Sequence, residues 1–244
     1  MTIYKIDMIK ELDDIFQHCY EKEQILLVIQ KRKQNDARVT FYKHYLSILD
    51  STIRLLILTD KYARDQDMRL WQNLDQEYNL NKRLFNRNDV LNYKAKIDYI
   101  DQNISNSYFG SIFNIFEHSF RLISEKYNDN IYSQQPSING LFIAIMSKLN
   151  LNNSDLRDFI NIVTRFRNSI HNNGVFNSPK DKNERYRWKE TRYVFENGKA
   201  IEIKDIWNHY IKFTQEFVSI FDNLIGLQDI QKINYIIDIT ERSG

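Results

Sequence analysis

Residues 107–127 read SYFGSIFNIFEHSFRLISEKY. Phe109, Ile112, Phe113, Phe116, Phe120, Ile123 and Tyr127 recur at steps of three and four. That spacing lines one face of an α-helix over about five turns, and a strand would instead alternate at every second residue. Asn128-Asp129-Asn130 is the expected end of this helix.

Moving outward, the same texture recurs on both sides. After Pro136-Ser137, an apolar run predicts a short helix over 141–149. Asn152-Asn153-Ser154-Asp155 follows as N-cap chemistry, with Asn153 or Ser154 as the cap and Asp155 near the positive helix end. The next helix is expected over 155–172, with Asn173-Gly174 as its stop signal. Upstream, Ile6, Ile9, Leu12, Ile15, Phe16 and Cys19 stripe a helix over 5–34, in which residues 25–29 are apolar all round and expected to be deeply packed. Tyr45, Ile48, Leu49, Thr52, Leu55 and Leu56 stripe a second over 39–64. Residues 65–105 are polar and weakly periodic, with a short helix expected around Trp71 to Phe85 and another from Val90 to Ile104.

Downstream the pattern changes. Tyr193-Val194-Phe195-Glu196 and Lys199-Ala200-Ile201-Glu202 flank Asn197-Gly198, a two-residue hairpin signal. The expected register sets Glu196 opposite Lys199 and Val194 opposite Ile201. A last long helix is expected over 205–227, carrying Trp207, Tyr210, Thr214, Phe217, Phe221 and Leu224, and the 230–239 tail reads as either helix or strand. The expected fold class is therefore mainly α: a helical bundle with a small β-hairpin inserted before the last long helix. The expected organisation is N-terminal helices over 1–105 and a bundle over 106–244 with the hairpin near 186–203.

Composition narrows the function classes. Of 244 residues only 6 are Gly and 2 are Pro, too few for a sandwich or barrel that turns every few residues. Neither GxGxxG nor GxxxxGK[ST] occurs. A 42% hydrophobic and 14% aromatic content is that of a chain with a core. With 34 basic and 32 acidic residues the net charge is +2, so strong non-specific DNA binding is not implied. The single Cys19 excludes an intramolecular disulfide and a Cys-built zinc site, and no His-x3-His pair exists, so no metal or cofactor is expected. No leader-like start and no long apolar run is present, so the expectation is a cytoplasmic protein without a membrane partner.

On a wheel of about 100° per residue with Leu156 at zero, Phe159, Ile160, Val163, Phe166 and Ile170 fall within roughly 80° of Leu156. Arg167 falls near +20° and His171 near +60°, inside or beside the stripe, while Arg165 falls near 180° and is expected to face solvent. A guanidinium cannot be neutralised, so one on the core face needs a carboxylate partner, a ligand or a cleft. Two readings are open. Arg167 reaches a carboxylate on a neighbouring helix and His171 bonds a backbone carbonyl; or the pair, with Asn168, Ser169 and Asn172 beside it, forms a site for phosphodiester chemistry. In the second reading arginine holds a phosphate oxygen and histidine moves a proton near neutral pH.

The segment Arg165-Phe166-Arg167-Asn168-Ser169-Ile170-His171 resembles the signature of HEPN domains, helical bundles named for higher eukaryotes and prokaryotes nucleotide-binding. That signature is an arginine, often followed by asparagine, and a histidine after a spacer of four to six residues. The spacer from Arg167 is three and from Arg165 five, and the Arg167-Asn168 pair fits the arginine–asparagine habit. The resemblance implies a metal-independent endoribonuclease of a toxin–antitoxin, abortive-infection or other defence system. It implies RNA as substrate, a homodimer that pairs the motif, and an antitoxin or defence partner. The catalytic candidates are Arg167 and His171; Asn168, Asn172 and Arg165 are the candidates for binding or orienting RNA. Some members of the family instead bind RNA or protein without cutting, and that is the alternative function.

Three further groups merit notice. His118 lies opposite the 107–127 stripe and is expected in solvent, while His18, His44 and His209 flank theirs. Arg185, Arg187, Lys189 and Arg192 alternate with Tyr186, Trp188 and Tyr193, as an RNA-contacting strand or as an exposed strand whose aromatics pack down. The run Lys31-Arg32-Lys33-Gln34-Asn35-Asp36 reads as a solvated helix end or as a phosphate contact.

Overall fold

The computed structural model describes residues 6–64, 93–178 and 181–240. Helices α1 (Ile6–Gln24), α2 (Ala37–Arg64), α3 (Tyr93–Tyr127), α4 (Asp129–Gln134), α5 (Ile138–Lys148) and α6 (Ser154–His171) come first. Strands β1 (Val175–Phe176), β2 (Glu184–Trp188), β3 (Thr191–Phe195) and β4 (Lys199–Ala200) follow, then α7 (Ile206–Gly226) and α8 (Gln228–Gln231). The protein is a mainly helical bundle with a small antiparallel hairpin before the last long helix. The short helix expected around Trp71 to Phe85 lies outside the described residues, as does Pro179.

Helix α1 packs on α2 and α7, α2 on α3, and α3 on α5, α6 and α7. The 105–106 junction lies within α3, and one continuous core joins residues from Met8 to Ile236. Aromatic rings fill its centre. Phe41 stacks on Phe221 at 3.6 Å, Phe109 on Tyr210 at 4.4 Å, and Phe116 meets Phe217 at 4.5 Å. Such pairs add about 0.5–1.5 kcal/mol beyond the area they bury. The phenols and the indole among them find partners: Tyr108 Oη lies 2.8 Å from Thr214 Oγ1, and Trp207 Nε1 donates to Asp101 Oδ1 at 2.7 Å.

Helix ends follow local chemistry. Asn153, not Ser154, caps α6, its Oδ1 accepting from Leu156 N at 2.8 Å. At the other end Asn173 and Gly174 both take positive φ, 55° and 84°, and Gly174 N closes on Ser169 O at 2.7 Å. Asn128 does not merely end a helix; its side chain caps α4 by accepting from Ile131 N.

Several expectations are corrected. Residues Ile25–Ile29 form a π-helical turn in which only Leu26 is buried, while Val28 is 66% and Ile29 73% exposed. A segment apolar all round has more faces than the one that α2 covers. The hairpin pairs β2 with β3 about Lys189-Glu190, so Val194 faces Arg185 and not Ile201. Asn197-Gly198 still turns the chain, with Glu196 and Lys199 ion-paired across it, but β4 pairs with β1. The cause is burial: β2 and β3 together present Trp188, Tyr193 and Phe195 to α6 and α7, whereas Lys199 and Ala200 have no apolar face to offer. The 230–239 tail holds only the end of α8 and then a single bridge from Ile237 to Asp36.

Candidate functional site

Helix α6 exists because Phe159, Ile160, Val163 and Phe166 bury one face against α3, α7 and the hairpin. Arg167 follows directly and is half-buried. Its Nε is shielded from solvent and has no hydrogen-bond partner, the one such buried side-chain nitrogen or oxygen among the described residues. Its Nη1 makes a long, weak contact to Asn168 Oδ1 at 3.4 Å. Among the described residues no carboxylate pairs with it. A buried donor left unsatisfied costs about 1–3 kcal/mol, so a guanidinium held this way is poised for an anion.

One turn later, His171 ends α6 and is exposed. Its wheel position lies beside the apolar stripe, yet its side chain is exposed. Asn168 is half-buried beside Arg167, and Asn172 is the exposed C-cap residue, its N–H bonded to Ser169 O. Among the described residues Arg167 thus lacks the carboxylate partner that a purely structural role would need.

Arg165 does not face solvent as its wheel position implies. Strand β2 lies on that face of α6, and Arg165 Nε donates to Glu184 Oε2 at 2.7 Å and Nη2 to Oε1 at 3.3 Å. Tyr186 Oη also donates to Glu184 Oε2, at 2.6 Å. Burial pushes the Glu184 carboxyl up, but the bonds from Arg165 and Tyr186 outweigh it and hold the group below its ordinary value. Burial and the Glu184 contact push Tyr186 up to about 12. One turn-pair earlier on the same face, Asp158 Oδ2 accepts from Arg187 N at 2.9 Å. Arg165 therefore joins the hairpin to α6, with its guanidinium committed to Glu184.

The hairpin sorts its residues as a half-buried sheet does. Trp188, Tyr193 and Phe195 pack down, so the aromatics are core and not an open stacking platform. Arg185, Arg187 and Arg192 stand exposed on the outer face, with Arg187 directly opposite Arg192. Like charges facing one another across a ladder are unfavourable unless an anion lies between them. Lys189 turns aside to Glu216 at 2.8 Å.

The remaining histidines have partners. His118 is not free in solvent: its Nε2 lies 3.1 Å from Asp238 Oδ1 in the C-terminal segment. His18 Nε2 lies 2.7 Å from Asp222 Oδ2, and Asp222 also accepts from Tyr42. His209 Nδ1 lies 2.9 Å from Tyr193 Oη, and burial with the nearby Lys212 charge holds its imidazole below the ordinary value. Cys19 is buried, which pushes its thiol up to about 12 and makes it a poor nucleophile. Among the described residues no cluster of three or more His, Cys, Asp and Glu side chains is arranged to hold a metal. No described helix is long and apolar enough to cross a membrane.

A cleft of about 580 Å³ lies elsewhere, between the segment joining α1 to α2 and the C-terminal segment, and none of its lining residues belongs to α6. Compared with known protein families, characterised proteins and solved structures, the chain matches none.

Proposed function

We propose that the protein acts on RNA as a HEPN-like, metal-independent endoribonuclease of a defence or toxin–antitoxin system, with Arg167 and His171 as its catalytic residues. One observation carries the reading: the Arg167 guanidinium is half-buried, has no carboxylate partner among the described residues and keeps a shielded, unbonded Nε, one helical turn from an exposed histidine. In the proposed reaction Arg167 binds the non-bridging oxygens of the scissile phosphate. His171 takes the proton of the 2′-hydroxyl, whose oxygen attacks phosphorus. The bond to the 5′-oxygen breaks, and that oxygen takes up a proton from the histidine of a second copy in a homodimer. The products are a 2′,3′-cyclic phosphate and a 5′-hydroxyl. Asn168 orients Arg167, and Asn172 lies where it can meet the strand.

The exposed row of Arg185, Arg187 and Arg192 favours a second reading, an RNA-binding module that does not cut. Incubation with single-stranded RNA in EDTA separates the two. The first reading expects cleavage to cyclic-phosphate ends that His171→Ala abolishes. Cleavage that survives in His171→Ala refutes the assignment of the site. Tight RNA binding without cleavage supports the second reading.

A further inference from the structure

The segment from Gln30 to Asp36 and the segment from Gln231 to Tyr235 are some 200 positions apart and close on one cleft of about 580 Å³. That volume lies within the ordinary range for small-molecule sites. Its charged lining is Lys31, Arg32, Lys33 and Lys232 against a single carboxylate, Asp36. Asp36 is already occupied: Arg38 Nε and Nη2 donate to its two oxygens at 2.7 and 2.6 Å, and both side chains are 1% exposed. The cleft floor is therefore a closed, neutral ion pair; of the four cations around it Lys232 reaches Asp229 at 3.4 Å on the exposed rim, and Lys31, Arg32 and Lys33 are left in excess.

Arg32 shows that excess most clearly. Its side chain is 12% exposed, yet its contacts are to neutral acceptors or are long: Gln30 Oε1 at 3.1 Å, Asn234 O at 3.5 Å and Asp36 Oδ2 at 3.9 Å. Burial, and then the neighbouring Arg38 charge, push this guanidinium below its ordinary value. A positive φ of 52° at Lys31 turns the backbone so that three successive basic residues line one cavity. Lys33 sits 4.7 Å above the Tyr235 ring, whose hydroxyl donates to Asn35 Oδ1 at 2.6 Å. Amides of Gln30, Gln231 and Asn234 complete the wall as neutral donors.

We propose that this cleft binds a small ligand carrying two or more linked phosphate groups, held by Arg32, Lys31, Lys33 and Lys232. Arg32 grips one phosphate from the floor, and the three lysines neutralise the remainder as mobile point charges. The site does not rest on the ribonuclease reading, and its lining residues are separate from Arg167 and His171.

Calorimetric titration of the full chain with inorganic pyrophosphate and, separately, with ATP tests it. Saturable binding that weakens as salt rises is expected, with affinity falling about tenfold or more in Arg32→Gln and in Lys31→Gln/Lys33→Gln. The double variant changes two exposed side chains, so it stays informative if Arg32→Gln fails to fold. ATP binding well above pyrophosphate makes the ligand a nucleotide, and equal affinities make it a polyphosphate. His171→Ala binds as the wild type does, which separates this site from the α6 motif. No saturable binding of either probe, or binding unchanged in both variants, overturns the proposal. So does loss of single-stranded RNA affinity in the variants when neither probe binds the wild type.

Discussion

Replacing Arg38 by methionine is expected to be among the most damaging single changes in the protein. The guanidinium is 1% exposed and makes two bonds to Asp36, one to Ile230 O at 3.2 Å, one to Ile233 O at 2.9 Å and one to Asn234 O at 3.4 Å. It thereby ties the start of α2 to carbonyls within and just after α8. Methionine fills much of the volume but leaves the Asp36 carboxylate buried, with the residue 38 N–H at 3.0 Å, the Ile236 N–H at 3.5 Å and the Arg32 guanidinium 3.9 Å away as its remaining partners. Breaking a buried pair from one side costs about 3–5 kcal/mol, because the remaining charge is poorly compensated. Against a total stability of about 5–15 kcal/mol this is about a fifth or more. For a chain of this length it corresponds to a fall in Tm of roughly 6–20 °C. Urea unfolding followed by circular dichroism measures it. The double variant Asp36→Asn/Arg38→Met removes both charges, and its cost is expected to be smaller than the sum of the two single costs. A loss below about 1 kcal/mol in Arg38→Met, or strict additivity in the cycle, would falsify the picture of a closed pair beneath the cleft.

Three other outcomes are expected. Arg167→Met removes a cation with an unbonded, shielded Nε, so it should leave Tm unchanged or raise it by up to about 1 kcal/mol of stability while abolishing RNA cleavage; a large drop in Tm would make Arg167 structural. Burial raises the Asp238 carboxyl, but bonds from Thr240, His118 and Thr40 outweigh it and bring the group down to about 2. A depressed folded value contributes stability that is full above the ordinary carboxylate value of 3.8 and is lost as pH falls to about 2. Asp238→Asn should therefore remove ~2 kcal/mol at neutral pH and flatten that limb of the acid-unfolding curve, and superimposable curves would contradict this. Gly174→Ala, at φ 84°, should cost about 1 kcal/mol through backbone strain alone, since a Cβ there meets nothing within 4 Å; equal melting temperatures would count against it.

The helices were legible because their signal is local. The stripe from Phe109 to Ile123, the Asn153 cap and the Asn173-Gly174 stop each depend on residues within a turn or two, and each appears where the periodicity puts it. The strands were half legible. Asn197-Gly198 is a genuine turn, yet what flanks a turn is decided by which strands can bury a face together, and β3 buries more against β2 than against β4. The wheel placed Arg167 correctly on the inner side of α6, but it counted the face of Arg165 as solvent because a wheel knows nothing of the strand laid over it.

By itself the sequence determined the class of fold, the limits of α2, α5, α6 and α7 within a few residues, and the placement of an arginine, an asparagine and a histidine at one helix end. Those follow from steric periodicity and from hydrogen bonds between near neighbours. Only the tertiary structure decided which cations have anions. Arg165 has Glu184 and Arg38 has Asp36, while Arg167 and Arg32 are left with neutral or distant acceptors. The same folding closed residues near 32 and near 234 on one cleft. Charge pairing falls off with distance in space and is indifferent to distance along the chain, so Arg165 finds Glu184 nineteen positions away while nothing in its local window marks the partner.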